Sequence, residues 1–190
     1  MSDAFEQTGL DEGDQPERRM RIYRATDSVA LDTEMMPLEN VSESDAMAMS
    51  GPTRPQEQVG AFVKVLFADE ALGLSLAYSW FKPDFILPRH SHNADCAYYV
   101  ISGEAHLGTE VLRAGDGFFI PAGANYQYSA GPEGVEVLEF RTAARFDMRL
   151  SGNSEAAWRR IAENAMANHQ RWLREPPPAA AARMMGSVDA

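Results

Sequence analysis

Two stretches of the chain decide its fold: HSHNADCAYYVISG from His90 to Gly103, and GDGFFIPAGANYQY from Gly115 to Tyr128. Each contains an apolar run typical of a buried strand, and glycine or proline stands where the chain must turn. Similar runs flank them, with GAFVKVLF, LGLSLAYSWF and DFILPRH before them and VEVLEF after them. Many short strands separated by turns predict an all-β sandwich or barrel rather than alternating strands and helices.

The first stretch opens with two histidines, His90 and His92, that are separated by one residue. In an extended segment such side chains leave the same face of the strand. Neutral imidazole is a common protein ligand for Zn, Fe, Ni and other transition metals. An exposed turn is the alternative for an isolated His-x-His, but this pair follows Pro88 at the end of one strand and precedes a strongly apolar one. We therefore predict that both imidazoles face the barrel interior.

The two stretches together resemble the motifs of the cupins. In that family the first motif is G-x5-H-x-H-x3,4-E-x6-G, and the second is G-x5-P-x-G-x2-H-x3-N. The positions in register with these motifs are His90, His92, Gly103, Gly115, Pro121 and Gly123. Asp84 stands where the first motif usually has glycine, and the likeness covers about residues 60–142. The resemblance implies a cupin-type antiparallel β-barrel, which is a double-stranded β-helix or jelly roll.

Two of the four metal ligands usual in cupins are replaced in this chain. Cys96 stands at the position of the glutamate, and Tyr126 stands at the position of the last histidine. The resemblance implies a divalent transition metal (Zn, Fe, Ni or Mn) held by His90 and His92, with Cys96 as a candidate third ligand. A thiolate suits such metals, but a cysteine on an apolar strand is often a small buried hydrophobe. Both interpretations of Cys96 remain open.

Tyrosines form the other group of candidate site residues. Tyr126 and Tyr128 are two positions apart, as are Cys96 and Tyr98, so alternation places each pair on one face of its strand. If both pairs point inward, Tyr98, Tyr126 and Tyr128 line the substrate pocket. Tyr126 is the candidate catalytic residue, because a phenol beside a metal can act as a ligand or as a general acid or base. Packing alone is the alternative.

Four further polar residues are weaker candidates. Asp95 is one residue out of register with the family's glutamate, and we interpret it as a hydrogen-bond partner of a histidine or as a turn residue. His106 is interpreted as a surface residue near a turn, with a third imidazole as the alternative. Glu139 shares the parity of the apolar residues on its strand and is a possible carboxylate of the site. His169 is interpreted as a packed or partly exposed helix residue.

The chain divides into five segments. Residues 1–20 read as a disordered acidic tail and residues 21–58 as an irregular N-terminal arm. The barrel is expected over residues 59–142. One amphipathic C-terminal helix is expected over residues 153–174, with Asn153 or Ser154 as its cap, and residues 175–190 read as a flexible tail. The helix is predicted to pack on the outside of the barrel through Trp158, Ile161 and Trp172.

Composition limits the partners of the protein. A net charge of −11 argues against nucleic acid and against an anionic membrane surface. No apolar run approaches the ~18 residues of a membrane span, and the acidic N-terminus lacks the pattern of a signal peptide. A single cysteine cannot form an internal disulfide, which favours a cytoplasmic location. Open sheet edges and the resemblance to cupins predict a homodimer, with the N-terminal arm as the element that crosses over.

These observations favour one function and leave a second open. The resemblance implies a metal-dependent enzyme of the oxygenase, isomerase or lyase class, acting on a carbonyl-bearing or aromatic small molecule. The alternative is a metal-free cupin that binds or senses a small molecule in a tyrosine-lined pocket, because two ligands alone hold a divalent ion weakly.

Overall fold

The computed structural model describes residues 19–51 and 58–186. The predicted acidic tail at residues 1–20 lies almost wholly outside the described residues, and its disorder stays a prediction. The strands are β1 Val29–Ala30, β2 Leu38–Glu39, β3 Ala61–Asp69, β4 Leu74–Phe81, β5 His90–Ser91, β6 Cys96–Leu107, β7 Glu110–Arg113, β8 Gly117–Ile120, β9 Ser129–Arg141 and β10 Met148–Leu150. The helices are a 3-10 turn at Ala25–Asp27 and α-helices α1 Glu43–Met49, α2 Glu155–Trp172 and α3 Ala179–Met185.

Most of the strands belong to one antiparallel sheet with the order β1-β3-β4-β9-β6-β7, in which β8 also pairs with β6. A smaller sheet contains β2, β10 and β5, with β5 antiparallel and β2 parallel to β10. The long strand β9 therefore lies between β4 and β6, so the chain crosses the sheet instead of following a simple meander. This topology confirms the all-β, antiparallel barrel that the sequence predicts.

Alternation along the central strands separates an inner face of the barrel from an outer one. On β6 the residues Cys96, Tyr98 and Val100 are buried, while the residues between them are exposed. The interior cluster is aromatic and β-branched, and its buried members are Phe81, Cys96, Tyr98, Val100, Ala105, Tyr126, Tyr128, Ala130, Val135 and Val137. All three tyrosines predicted to line the pocket are therefore inside the barrel.

Helix α2 packs on the barrel as predicted. Its buried residues are Trp158, Ile161, Ala165 and Trp172. Ser154 is the cap, because its side chain accepts a hydrogen bond from the backbone N–H of Ala157. Asn153, the other candidate cap, instead exchanges hydrogen bonds with the backbone of Arg89. None of the described helices is long and apolar enough to cross a membrane.

The described part of the N-terminal arm lies on its own barrel. Strand β1 pairs with β3, and β2 pairs with β10. Helix α1 begins with a capping box in which Ser42 and Asp45 satisfy each other's backbone N–H groups. The indole Nε1 of Trp158 also donates a hydrogen bond of 2.7 Å to Asp45, so the arm is tied to helix α2. The arm and α2 together cover one end of the barrel.

The interpretation of residues 175–190 as a flexible tail is wrong for Ala179–Met185, which form helix α3. Ala181 and Met184 of this helix are buried against Tyr78 and Trp80 on the outer face of the sheet. Alanine is the strongest helix former, and spacing of three residues places both buried side chains on one face of the helix. The prolines that precede this segment favour an irregular chain, but they stand before the helix and do not interrupt it. Residues 187–190 lie outside the described residues.

Four motif positions, including Gly103 and Asp84, have left-handed backbone, which normally requires glycine. Gly103 has φ +71°, and a β-carbon there would lie 2.1 Å from the carbonyl oxygen of Gly134. Asp84, at the position where the motif usually has glycine, has φ +61°. Its carboxylate faces Arg171 at 3.1 Å, but both side chains are half-exposed, so this ion pair contributes little stability.

We expect Asp84→Gly to be more stable than Asp84→Ala by about 1 kcal/mol, because only alanine retains a β-carbon in left-handed backbone. Both variants remove the carboxylate, so the difference between them isolates the backbone term. Urea unfolding followed by circular dichroism measures it. Equal free energies of unfolding for the two variants would contradict the left-handed conformation of this residue.

Candidate functional site

The centre of the site is a tyrosine hydroxyl shared by two buried imidazoles. The Nε2 atoms of His90 and His92 lie 2.9 and 3.1 Å from the hydroxyl oxygen of Tyr126. Two backbone hydrogen bonds between His90 and Tyr126, of 3.0 and 2.9 Å, hold the two segments together. Both imidazoles face the barrel interior, as the alternation of an extended segment predicts. The hydroxyl of Tyr98 makes a further short hydrogen bond with that of Tyr126.

Backbone carbonyl groups determine the tautomer of each histidine. The Nδ1 atom of His90 lies 2.7 Å from the oxygen of Pro88, and that of His92 lies 2.5 Å from the oxygen of Asp147. A carbonyl oxygen can only accept a hydrogen bond, so each neutral ring carries its proton on Nδ1. Each Nε2 atom therefore presents a lone pair to Tyr126, whose hydroxyl has one proton to donate. The Nε2 lone pairs thus outnumber the proton available from that hydroxyl.

The loop that carries Asp147 positions His92, and the sequence analysis missed it. Asp147 and Asn93 exchange two hydrogen bonds of 2.8 and 3.0 Å through their side chains and backbone N–H groups. Arg149 donates to the second oxygen of the Asp147 carboxylate. These contacts hold the Asp147 carbonyl against the imidazole. The sequence contains no local signal for them, because the partners are more than fifty residues apart.

Burial keeps the site uncharged at neutral pH, apart from one ion pair described below. Desolvation lowers the pKa of His90 to about 4, with a smaller contribution from His92. Burial likewise lowers the pKa of His92, and the nearby Arg141 charge acts in the same direction. The phenol pKa values are raised, mainly by burial, at Tyr98, Tyr126 and Tyr128. The centre therefore consists of neutral imidazoles and protonated phenols.

A cavity of about 190 Å³ adjoins this centre. The polar groups on its wall are His90, His92, Tyr98, Tyr126, Tyr128, Glu139 and Arg141. The rest of the wall is apolar and comes from the barrel, the N-terminal arm and helix α2, with Phe81, Phe85, Leu38, Met49 and Trp158 among its residues. A small apolar cavity with a few polar groups is typical of a site for an organic small molecule.

A buried ion pair between Glu139 and Arg141 forms part of the cavity wall. Glu139 accepts hydrogen bonds from the Arg141 guanidinium and from the hydroxyl of Ser79. Burial is the largest single influence and lowers the pKa of Arg141, but the Glu139 carboxylate, together with smaller effects of Tyr98, Cys96 and Tyr126, raises it overall. The sequence analysis named Glu139 as a weak candidate and missed Arg141. The same alternation that turns Glu139 inward also turns Arg141 inward, and this was the available signal.

The donor types of His90, His92 and Tyr126 are suited to a divalent transition metal, because two Nε2 lone pairs and a phenol oxygen converge on one point. A metal-ligating histidine also commonly donates a hydrogen bond from its other ring N–H to a backbone carbonyl group, as His90 and His92 do through Nδ1. Over the described ranges, no group of three or more His, Cys, Asp and Glu side chains could hold a metal ion. Among the groups that contact both imidazoles, the phenol of Tyr126 is the candidate third donor.

The remaining candidates have ordinary surroundings. Cys96 is buried in the barrel, and burial raises its thiol pKa to about 12, so its role as a ligand stays a prediction. Asp95 accepts a hydrogen bond from the backbone of Ala122 and so fastens the loop before Tyr126. His106 is partly exposed and contacts Glu104, as expected for a surface residue. His169 is partly buried on helix α2.

A family model described as Cupin matches residues 59–175 of the chain. The fold is similar to that of the polyketide cyclase RemF from Streptomyces resistomycificus, at 20% identity over 74% of this chain and 91% of that one, with a TM-score of 0.50. An RmlC-like cupin from Shewanella frigidimarina is 27% identical over 45% of this chain and 78% of that one, with a TM-score of 0.42. No curated protein matches the chain. At this identity, the likeness to RemF supports the fold alone.

The low pKa of His90 predicts that stability falls in acid. The folded pKa is about 4, while the unfolded chain has the ordinary value of ~6.5. Between these values the unfolded state binds more protons than the folded state. The contribution of His90 to the free energy of unfolding is therefore fully present above the unfolded pKa, and it is lost as pH falls toward the folded pKa. For the metal-free protein we expect a loss of about 2 kcal/mol from this residue between pH ~7.5 and pH ~5.

Urea unfolding in the presence of EDTA at several pH values measures this loss. His90→Gln should flatten the dependence on pH, while the matched variant His106→Gln, at a partly exposed site, should retain it. Identical pH profiles for the wild type and His90→Gln would show that His90 is not buried in its neutral form.

Proposed function

The chain belongs to the cupin family, and we propose that it is an enzyme acting on a small carbonyl-bearing or aromatic compound inside the barrel. One observation carries the proposal: the Nε2 atoms of His90 and His92 converge on the Tyr126 hydroxyl beside a mostly apolar cavity. Convergent polar groups at such a cavity are the usual arrangement of an active site. The proposed reaction class is that of an oxygenase, isomerase or lyase.

In the proposed enzyme, His90 and His92 hold a divalent transition metal, either Zn, Fe, Ni or Mn, with Tyr126 as the third donor. Such an ion supplies polarisation of a substrate carbonyl or activation of oxygen. Cys96 is also a candidate ligand, but its high thiol pKa disfavours the thiolate that metal binding requires. We therefore prefer the phenol of Tyr126 to Cys96 as the third donor.

The protein's own residues orient the site and control its protons. The carbonyl groups of Pro88 and Asp147 fix the imidazole rings with their Nε2 atoms toward the centre. Tyr98 can donate a hydrogen bond to the Tyr126 oxygen, which favours the ionised phenol that serves as a ligand or general base. The apolar walls exclude water from the reacting compound, which strengthens each polar interaction there.

A metal-free cupin that binds or senses a small molecule is the second candidate. The observation that favours it is the position of the Tyr126 hydroxyl, which lies within hydrogen-bond distance of both imidazoles. In this function Tyr98, Tyr126 and Tyr128 line a pocket that retains its ligand without converting it. Metal content distinguishes the two candidates.

We expect the protein purified without added metal to contain close to one equivalent of a divalent transition metal, measured by inductively coupled plasma mass spectrometry. His90→Gln and His92→Gln should lose it, because two remaining donors hold an ion weakly. The matched variant His106→Gln should retain it. The metal-free candidate would be favoured if the wild type contained no metal and if the wild type and His90→Gln bound Ni²⁺ equally weakly.

Titration of Ni²⁺ into the EDTA-stripped protein tests the role of Tyr126. Tyr126→Phe should weaken binding by at least ~10-fold, because it removes the third donor, whereas Tyr126→His should preserve or improve binding. Calorimetry measures both affinities. Equal affinity in the wild type and Tyr126→Phe would mean that the phenol is not a ligand.

We also propose a homodimer, formed through an exposed aromatic patch on the outer face of the barrel. Phe119 on β8 and Phe140 on β9 both pair with Ala97 on β6, so all three share one face, and Tyr99 is the next outward residue. Phe119 is 61% exposed, and Tyr99 and Phe140 are also exposed. Contiguous apolar surface of this kind often marks a protein interface. A crossing arm at residues 21–58 stays a prediction.

Light scattering should give the mass of two chains for the wild type at micromolar concentration. Phe119→Ser should shift the protein toward a single chain, because it removes the most exposed ring of the patch. Met166→Ser, an exposed apolar residue on helix α2, is the matched control and should leave the mass unchanged. A single-chain mass for the wild type would contradict the proposed dimer.

The remaining proposals concern surroundings and partners. The partner that the site supports is a small molecule, because the cavity is small and mostly lined by apolar residues. The net charge of −11 supports the prediction that neither nucleic acid nor an anionic membrane surface is a partner. The cytoplasmic location remains a proposal that rests on the single cysteine, Cys96.

A further inference from the structure

Arg141 has hydrogen-bond donors that the folded chain does not use. This residue is 2% exposed and lies on the wall of the cavity. Its Nη2 atom donates to Glu139, whereas Nε and Nη1 have no hydrogen-bond partner among the described residues. We infer that Arg141 binds the neutral carbonyl oxygen of a single-ring aromatic ligand. The inference deepens the proposed function and rests on it, since it requires that the barrel binds a small organic molecule.

The chemistry of the guanidinium group calls for an acceptor. Arginine has five N–H donors and no acceptor, and it remains charged even when it is buried. Phe146 covers one face of the group, with its ring centroid 4.0 Å from Cζ, but a stacked ring does not use the N–H groups at the edge. Buried donors in proteins nearly always have partners. An oxygen atom of a bound ligand would supply one.

A second unused donor lies on the same cavity wall. Tyr128 is 2% exposed, and its hydroxyl has no hydrogen-bond partner within the described parts of the chain. Unlike Tyr98 and Tyr126, it is therefore outside the hydrogen-bonded centre around the histidines. Two independent buried donors thus line one cavity, which points to a ligand that carries oxygen acceptors.

Charge decides between a neutral carbonyl and a carboxylate. Glu139 already compensates the positive charge of Arg141, and its own second oxygen is occupied by Ser79. A ligand carboxylate would place a second negative charge beside the buried Glu139, where like charges repel strongly. A neutral carbonyl oxygen accepts the unused hydrogen bond and leaves the net charge of the group at zero.

The cavity restricts the rest of the ligand. Its volume of about 190 Å³ is somewhat larger than the ~150 Å³ in which benzene is known to bind a protein core. This leaves room for one ring and a short substituent. Aromatic side chains on its wall, including Phe81, Phe85 and Tyr98, favour stacked or edge-to-face contacts with such a ring.

Three probes of equal size test the inference: acetophenone, benzoate and α-methylstyrene, in which a methylene group replaces the carbonyl oxygen of acetophenone. Dissociation constants are measured by ligand-observed NMR for the wild type and for the double variant Glu139→Gln/Arg141→Gln. Removal of both charges avoids an unpaired buried carboxylate, and thermal unfolding verifies that the variant folds. Arg145→Gln, at an exposed arginine, is the matched control.

We expect the double variant to weaken acetophenone by about 10-fold, because a hydrogen bond to a charged group is lost, and to change α-methylstyrene by less than ~2-fold. Arg145→Gln should change neither. Should the double variant not fold, two other measurements still decide. Acetophenone must bind the wild type more tightly than benzoate does, and Tyr128→Phe must weaken acetophenone more than α-methylstyrene. Tighter binding of benzoate than of acetophenone, or equal effects of the double variant on acetophenone and α-methylstyrene, would overturn the inference. Neither result would contradict the proposal that the barrel binds a small organic molecule. Failure of all probes to bind would overturn both.

Discussion

Polar groups inside this barrel are cut off from water, and each has to find a partner within the protein or in a bound ligand. This constraint explains how the hydrogen-bonding groups of the site are arranged. Carbonyl groups of Pro88 and Asp147 take the Nδ1–H groups of the histidines, and Tyr126 and Tyr98 continue the chain of hydrogen bonds from the other side of the rings. The rings cannot rotate without leaving these buried groups unpaired. The direction of both Nε2 lone pairs is therefore a consequence of burial.

The same constraint operates on the outer face of the sheet. Glu136 is buried there and accepts hydrogen bonds from Tyr78 and Ser102. Helix α3 packs Ala181 and Met184 against Tyr78, the donor of one of these hydrogen bonds, and so helps to bury it. The helix is thus part of the barrel and more than an appendage to it.

The elements that enclose the cavity come from three parts of the chain. The barrel supplies the polar groups, and the arm and helix α2 supply apolar wall residues such as Met49 and Trp158. The hydrogen bond between Trp158 and Asp45 connects these two covering elements. The unused donors of Arg141 and Tyr128 are buried within this enclosure, where an unpaired polar group is costly. The covering elements and the polar centre therefore act together.

Sequence patterns predicted an all-β fold, the inward direction of His90 and His92 and the buried stripe of helix α2, whereas the inward direction of the three tyrosines was only conditional. These features depend on local periodicity and on glycine and proline at turns, which a single chain displays directly.

Only the tertiary structure decided which polar groups meet. The contact between Tyr126 and both imidazoles, the Asn93–Asp147 pair and the burial of Arg141 beside Glu139 all join segments that are distant in sequence or depend on strand register. Helix α3 was missed for a related reason: its short apolar face has meaning only against Tyr78 and Trp80, which the sheet supplies. Periodicity fixes the face on which a side chain lies, but pairing between strands fixes its neighbours.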